Sequence, residues 1–174
     1  MKKLILFLLI ICFIPCVSAQ IITGEVEYNA EAASQEVFSS PLPSFNYQYV
    51  QKHFIDINYA ENYNCLNAGI KEINGRKIAR FTDGTYGIWY YNEPLYTWYY
   101  SGNGRLINFT QKNSENYPAK VVRYLPDGSI TNVGLKVSEE ESFVFSREGK
   151  LLAHWIGLNC YDEYNNIIMK RKYE

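Results

Sequence analysis

The stretch Tyr100-Ser101-Gly102-Asn103-Gly104-Arg105-Leu106 decides the fold. If Tyr100 and Leu106 face each other across two antiparallel strands, Ser101 pairs with Arg105 and the residues between them form a three-residue loop. Such loops favour a type I turn followed by one residue in the left-handed region, with a bulge. That residue falls four places after the aromatic, where Gly104 has no Cβ to clash. The phrase returns as Tyr124-Gly128-Ile130, Phe145-Gly149-Leu151 and Tyr161-Asn165-Ile167. Asn165 is the next-best left-handed residue after glycine. Each copy sets an aromatic against Leu or Ile, a cross-strand pair worth about 0.2–1 kcal/mol. Unequal intervals between the copies predict an irregular meander and not a regular solenoid.

Upstream, Asn74-Gly75 and Asp83-Gly84 suit two-residue hairpin turns, and Asn92-Glu93-Pro94 separates two aromatic runs. No helical interval from Gly69 onward is long enough for a parallel crossover, so the sheet is expected to be antiparallel. Before it, Val26, Ala30, Ala33 and Val37 make one helical stripe over 24–38, with Thr23 as cap and Ser39 to Pro43 as stop. A second helix is expected from about Phe45 to Ile57, with Phe45, Tyr49 and Phe54 on one side. The fold class is therefore α+β: a meander of about ten short antiparallel strands over 69–174, preceded by one or two helices within 20–68 that pack on it as one domain.

Residues 1–19 have the pattern of a secretory leader: Lys2 and Lys3, the apolar run Leu4 to Ile14, then Val17-Ser18-Ala19. That run is short for a membrane span, which needs about 20 residues, and nothing after it approaches that length. The expected address is exported, whether periplasmic, cell-surface or secreted, and the residue usage looks bacterial. A lipoprotein anchored through Cys16 is the alternative, disfavoured by Pro15 before it. The chain carries 17 Lys and Arg against 18 Asp and Glu, and Lys2 and Lys3 would leave with the leader. That balance argues against nucleic acid as the partner. Lys170-Arg171-Lys172 reads as a solvated tail.

Cys65 and Cys160 would remain after cleavage, an even pair that suits a disulfide in an exported chain. Closing a loop of about a hundred residues would contribute about 4–5 kcal/mol in the chain-entropy account. Sixteen Tyr, nine Phe and three Trp serve core and cross-strand packing first. The run Trp98-Tyr99-Tyr100 must nonetheless place one ring on the face opposite its neighbours. Trp89, Tyr91, Trp98, Tyr100 and Trp155 are the ligand-binding candidates.

Tyr100 to Leu106 and Tyr161-Asp162-Glu163-Tyr164-Asn165-Asn166-Ile167 resemble the YD-type and MORN-variant repeats of small exported bacterial proteins. So does the stretch from Val137 to Lys172, with Phe143, Phe145, Gly149, His154-Trp155-Ile156-Gly157 and Cys160-Tyr161-Asp162. The resemblance spans about residues 81–172, and only Tyr161-Asp162 keeps the literal dipeptide. It implies a β-sheet scaffold, in some relatives a shell or partner for a toxin.

Chemistry is thin. His154, Cys160 and Asp162 are the weak candidates for a nucleophile, base and orienting group, with a structural role favoured for all three. Glu139-Glu140-Glu141 reads as a solvated turn. There is no zinc spacing, phosphate-binding glycine loop or serine-nucleophile motif, so neither metal nor cofactor is expected. The function expected is a noncatalytic exported β-repeat module binding a protein partner or a cell-envelope component such as glycan. The alternatives are an immunity or antitoxin-like partner of a secreted toxin, or a cysteine-dependent hydrolase.

Overall fold

A computed structural model describes residues 28–64 and 69–170. The leader, Val26, Thr23, Cys65 and the Arg171-Lys172 end of the basic tail lie outside the described residues. Eleven strands run β1 Gly69–Ile73, β2 Arg76–Arg80, β3 Tyr86–Tyr90, β4 Tyr96–Tyr100, β5 Leu106–Lys112, β6 Ala119–Tyr124, β7 Ile130–Lys136, β8 Glu141–Phe145, β9 Leu151–Ile156, β10 Asn159–Tyr161 and β11 Ile167–Lys170. They form one sheet in chain order, every neighbouring pair antiparallel. This is the expected meander.

Its registers follow the repeat. Tyr100 pairs with Leu106, Tyr124 with Ile130, Phe145 with Leu151 and Tyr161 with Ile167, each with a bulge one residue earlier in the strand. Gly104, Gly128, Gly149 and Asn165 all have positive φ, from 62° to 90°. In each loop the residue after the aromatic donates its N–H to the carbonyl four places on, at 2.8–2.9 Å. Asn74-Gly75 forms the expected two-residue turn, both residues with positive φ. Asp83-Gly84 does not. Phe81 N–H bonds the Thr85 carbonyl at 2.9 Å and Arg80 pairs with Tyr86, so this loop is a fifth copy of the three-residue turn. Asp83 and Asp127 each accept from the backbone N–H two residues on, at 2.9 Å. Both aspartates are held below their usual range, Asp83 chiefly by the Thr85 hydroxyl that donates to it at 2.6 Å and then by this N–H, Asp127 chiefly by the N–H of Ser129.

Because the connections alternate, the five three-residue turns share one end of the sheet. The segment before β1 is a strap with three short helices, α1 Ala30–Phe38, α2 Tyr47–Gln51 and α3 Tyr59–Asn64, where one or two were expected. The first begins at Ala30 because Asn29 Oδ1 accepts from Ala32 N–H at 2.8 Å. The second stops at Gln51 and does not continue to Ile57, and Asp56 Oδ1 turns the chain by accepting from Asn58 N–H. Phe45, Tyr49 and Phe54 still pack on the core.

The strap runs back along the turn end and rests on the turn glycines. A Cβ on Gly128 would stand 2.8 Å from the Phe45 ring, one on Gly104 3.1 Å from Tyr59, and one on Gly149 3.7 Å from Phe38. These glycines thus permit the backbone turn and also seat an aromatic. Polar pins add to this: the Lys120 ammonium donates to Ser40 Oγ, and the Tyr124 hydroxyl to the Pro43 carbonyl. Beneath the strap lies the core, including Ile78, Tyr86, Ile88, Trp98, Tyr100, Phe109, Val133, Leu135, Phe143 and Phe145. No described helix is long and apolar enough to cross a membrane. At the far edge, Ile167, Ile168 and Met169 of β11 are about half exposed.

Candidate functional site

Alternation along each strand sends the residues between core positions to the other face, on which no described helix lies. Gly87 pairs with Tyr99 and Tyr99 with Asn108. Thr97 pairs with Thr110, Thr110 with Arg123 and Arg123 with Asn132. On this open face the Tyr99 ring has Phe81 at 6.3 Å, Trp89 edge-on at 6.5 Å and the Arg123 guanidinium at 5.2 Å. Phe81 is 39% exposed. Asn108 Oδ1 and Arg123 Nε are buried with no hydrogen-bond partner.

The structure therefore divides the expected ligand-binding residues. Trp89 lies on the open face and Tyr91 is exposed just beyond β3. Trp155 also belongs to the open face, pairing with Ser142 and Cys160. Trp98 and Tyr100 do not qualify as an exposed stripe. Both are buried under the strap, because each lies an even number of residues from core positions of β4. The ring of that run which reaches the other face is Tyr99.

A concavity of about 220 Å³ lies elsewhere, where the strap meets the β3–β4 loop. Lys52, His53, Asp56, Asn58, Tyr90 and Glu93 are among its lining residues. The His53 ring stacks on Trp98 at 3.8 Å, and its Nε2 lies 3.5 Å from Glu93 Oε1. Trp98 Nε1 donates to Glu93 Oε2 at 3.0 Å. Burial would raise the Glu93 carboxyl, but hydrogen bonds from His53, Tyr49 and Trp98 outweigh it and hold the group below its ordinary value. Asp56 is buried and saturated, accepting from Asn62 Nδ2 at 2.8 and 3.0 Å, Tyr86 hydroxyl at 2.7 Å and Asn58 N–H. Arg76 completes this network through Asn62 at 2.7 Å and Glu61 at 2.7 Å. Burial pushes the Tyr90 phenol up to about 12, with Asp56 adding to it. Both carboxylates of the concavity are thus committed to holding strap and sheet together.

That commitment has a pH signature. A carboxylate depressed in the folded state contributes stability above its unfolded pKa, about 4.3, and loses it as pH falls through the folded value. Glu93→Gln is expected to lower stability by about 1.5–3 kcal/mol at neutral pH, the range of a hydrogen bond to a charged group. The difference from the wild type should close on acidification, as read from urea midpoints between pH 7 and pH 3. A gap that stayed constant across that range would contradict an ionised anchor.

The weak catalytic candidates do not meet. His154 pairs with Tyr161, whereas Cys160 pairs with Trp155, so the imidazole and the thiol leave the sheet on opposite faces. His154 stacks on Phe143 at 3.9 Å, with Nε2 2.8 Å from Glu141 Oε1. Glu141 belongs to that pair, while Glu139 and Glu140 are exposed in the turn before it. Asp162 accepts from Tyr164 N–H, Asn166 N–H and Asn166 Nδ2 and so closes the last loop. Cys160 is buried, and its expected partner Cys65 is outside the described residues.

Sequence reasoning expected one ring of the run Trp98-Tyr99-Tyr100 on the other face but did not single out Tyr99, and it missed Asn108 and Arg123, and also His53, Asp56 and Glu93. The first three were reachable by counting alternate residues back from Tyr100 across the register. The other three depend on a strap whose path no periodicity encodes. Compared with known proteins, the chain matches no family model, and no curated protein or solved structure is similar to it.

Proposed function

We propose that this chain is a noncatalytic exported β-repeat module that binds a cell-envelope component or a protein partner on the open face of its sheet. The observation carrying this reading is the asymmetry of the two faces. One is sealed by the strap, while the other presents Phe81, Trp89 and Tyr99 among amides, hydroxyls and a guanidinium. Aromatic rings rimmed by polar groups are the usual composition of a recognition surface. The engagement of Asp56, Glu93 and His154 in structural bonds favours binding over catalysis, and the leader pattern supports export. The test is co-sedimentation of the purified protein with isolated bacterial envelopes, alongside capture on immobilised detergent-solubilised envelope proteins. Saturable retention in either arm, weakened by Tyr99→Ala, is the expected result. Absence of retention in both arms would overturn the proposal.

A further inference from the structure

Strand side chains ordinarily stand off the sheet, but Tyr99 has a neighbour that lets it lie down. A Cβ at Gly87 would sit 3.3 Å from Tyr99 Cε1 and 3.4 Å from the Trp89 ring, so the glycine lets both rings settle a few tenths of an ångström closer over β3. Phe81 extends this floor with its plane only 27° away, and Trp89 stands against it at 73°. A flat aromatic floor with an upright wall suits the planar face of a ring-shaped ligand, a sugar or a base.

Two further features concern polarity. Asn108 Oδ1 and Arg123 Nε lie beside the floor, buried and unpartnered, which is uncommon for polar atoms in native proteins. They offer one acceptor and one charged donor. The strand residues of the open face also differ in charge from the molecule as a whole. They include Lys77, Lys112, Arg123 and Lys136, with Glu72 as the acidic member, in a chain of formal net charge −1. The strap side of the strands is as basic, with Lys71, Arg76, Arg80, Lys120 and Lys170 against Glu141, but there Arg76, Arg80 and Lys120 are engaged by Glu61, Tyr63 and Ser40 of the strap.

Building on the binding-module reading above, we propose that the open face around Tyr99 is a binding site for an acidic glycan. A sugar ring stacks on Tyr99 against Trp89. Its hydroxyls meet Asn108, Thr110 and Asn132, and carboxylates along the chain meet Arg123, Lys112 and Lys136. A single-stranded nucleic acid also uses aromatics and cations, but a phosphate at every nucleotide calls for a basic groove that tracks the backbone. Here the cations are set apart among neutral amides and hydroxyls, which match a ligand rich in hydroxyls and sparser in charge.

The test titrates the whole protein with a galacturonate tetramer, a neutral N-acetylglucosamine tetramer and an octathymidylate, by calorimetry and tryptophan fluorescence. The acidic tetramer should bind about tenfold tighter than the neutral one, and several-fold more weakly when salt shortens the screening length to about 3–5 Å. Tyr99→Ala should weaken it about tenfold, within the range for loss of one aromatic stack. The surface double variant Lys112→Ala/Lys136→Ala, which leaves the core untouched, should weaken it about threefold to tenfold. Circular dichroism confirms that each variant folds. The inference is overturned if the acidic tetramer shows no saturable binding, if octathymidylate binds more tightly, or if both variants bind like the wild type. Envelope sedimentation that persists while the tetramer is ignored would overturn the glycan site and leave the binding module standing. Loss of both would remove both.

Discussion

Replacing Trp98 by alanine is expected to cost about 4 kcal/mol, as large aromatic truncations in cores do. Trp98 is fully buried and central to an aromatic layer. It touches Phe109 at 5.1 Å, Tyr96 at 5.3 Å and Tyr49 at 6.0 Å, and carries the His53 ring at 3.8 Å. Truncation removes that packing, and it also removes the N–H that Glu93 accepts. The strap therefore loses its apolar seat and one of its polar anchors together. Domains of this size are stable by only about 5–15 kcal/mol, so the loss would consume a large share. Trp89→Ala, on the open face, should cost less, about 1.5–2 kcal/mol, because the indole is only partly buried there and carries no strap ring. Urea unfolding of the two variants gives the comparison. Equal losses would mean that the two faces of the sheet are assigned wrongly.

The second large effect is expected at Gly134, in the middle of β7. A Cβ there would lie 2.4 Å from the Phe143 carbonyl oxygen of β8. That atom is backbone, so no rotamer change relieves the clash; the strands must separate. Gly134→Ala should cost about 3 kcal/mol, the upper part of the overpacking range, and broaden the amide signals of β7 and β8. Gly75→Ala is the control. Its Cβ meets nothing within 4 Å, so only the left-handed backbone at φ +78° opposes it, at about 1 kcal/mol. A Gly134 variant no worse than the Gly75 variant would show that β7 and β8 are not so closely apposed.

Much of the sheet was legible because the repeat fixes register as well as turn type. Once Tyr100 faces Leu106, every alternate residue of β4 and β5 is assigned to a face. The fifth copy escaped notice because Arg80 and Tyr86 occupy its two paired positions, where the other copies have an aromatic and Leu or Ile. Only Gly84, with φ +83°, keeps the shared geometry. The same register could have told Tyr99 from Trp98 and Tyr100, since three consecutive strand residues cannot share a face. Size and aromaticity, which drew attention to Trp98 and Tyr100, report burial as readily as exposure. The strap was the least legible part. Its rings sit on glycines that are 45 to 111 residues later in the chain, at Gly104, Gly128 and Gly149, and long-range seating leaves no periodic trace. His53 and Glu93 meet only because that strap crosses the β3–β4 loop.

The central claim is that the open face, and not the strap side, is the binding surface. The most direct measurement is a map of backbone amide shifts when solubilised bacterial envelope material is added to the isotope-labelled protein. Perturbations concentrated at Gly87, Trp89, Tyr99, Asn108 and Arg123, with the amides around His53 and Glu93 unmoved, are the predicted result. Shifts centred on His53, Asp56 and Glu93, with the open face silent, would contradict it and move the site to the strap side.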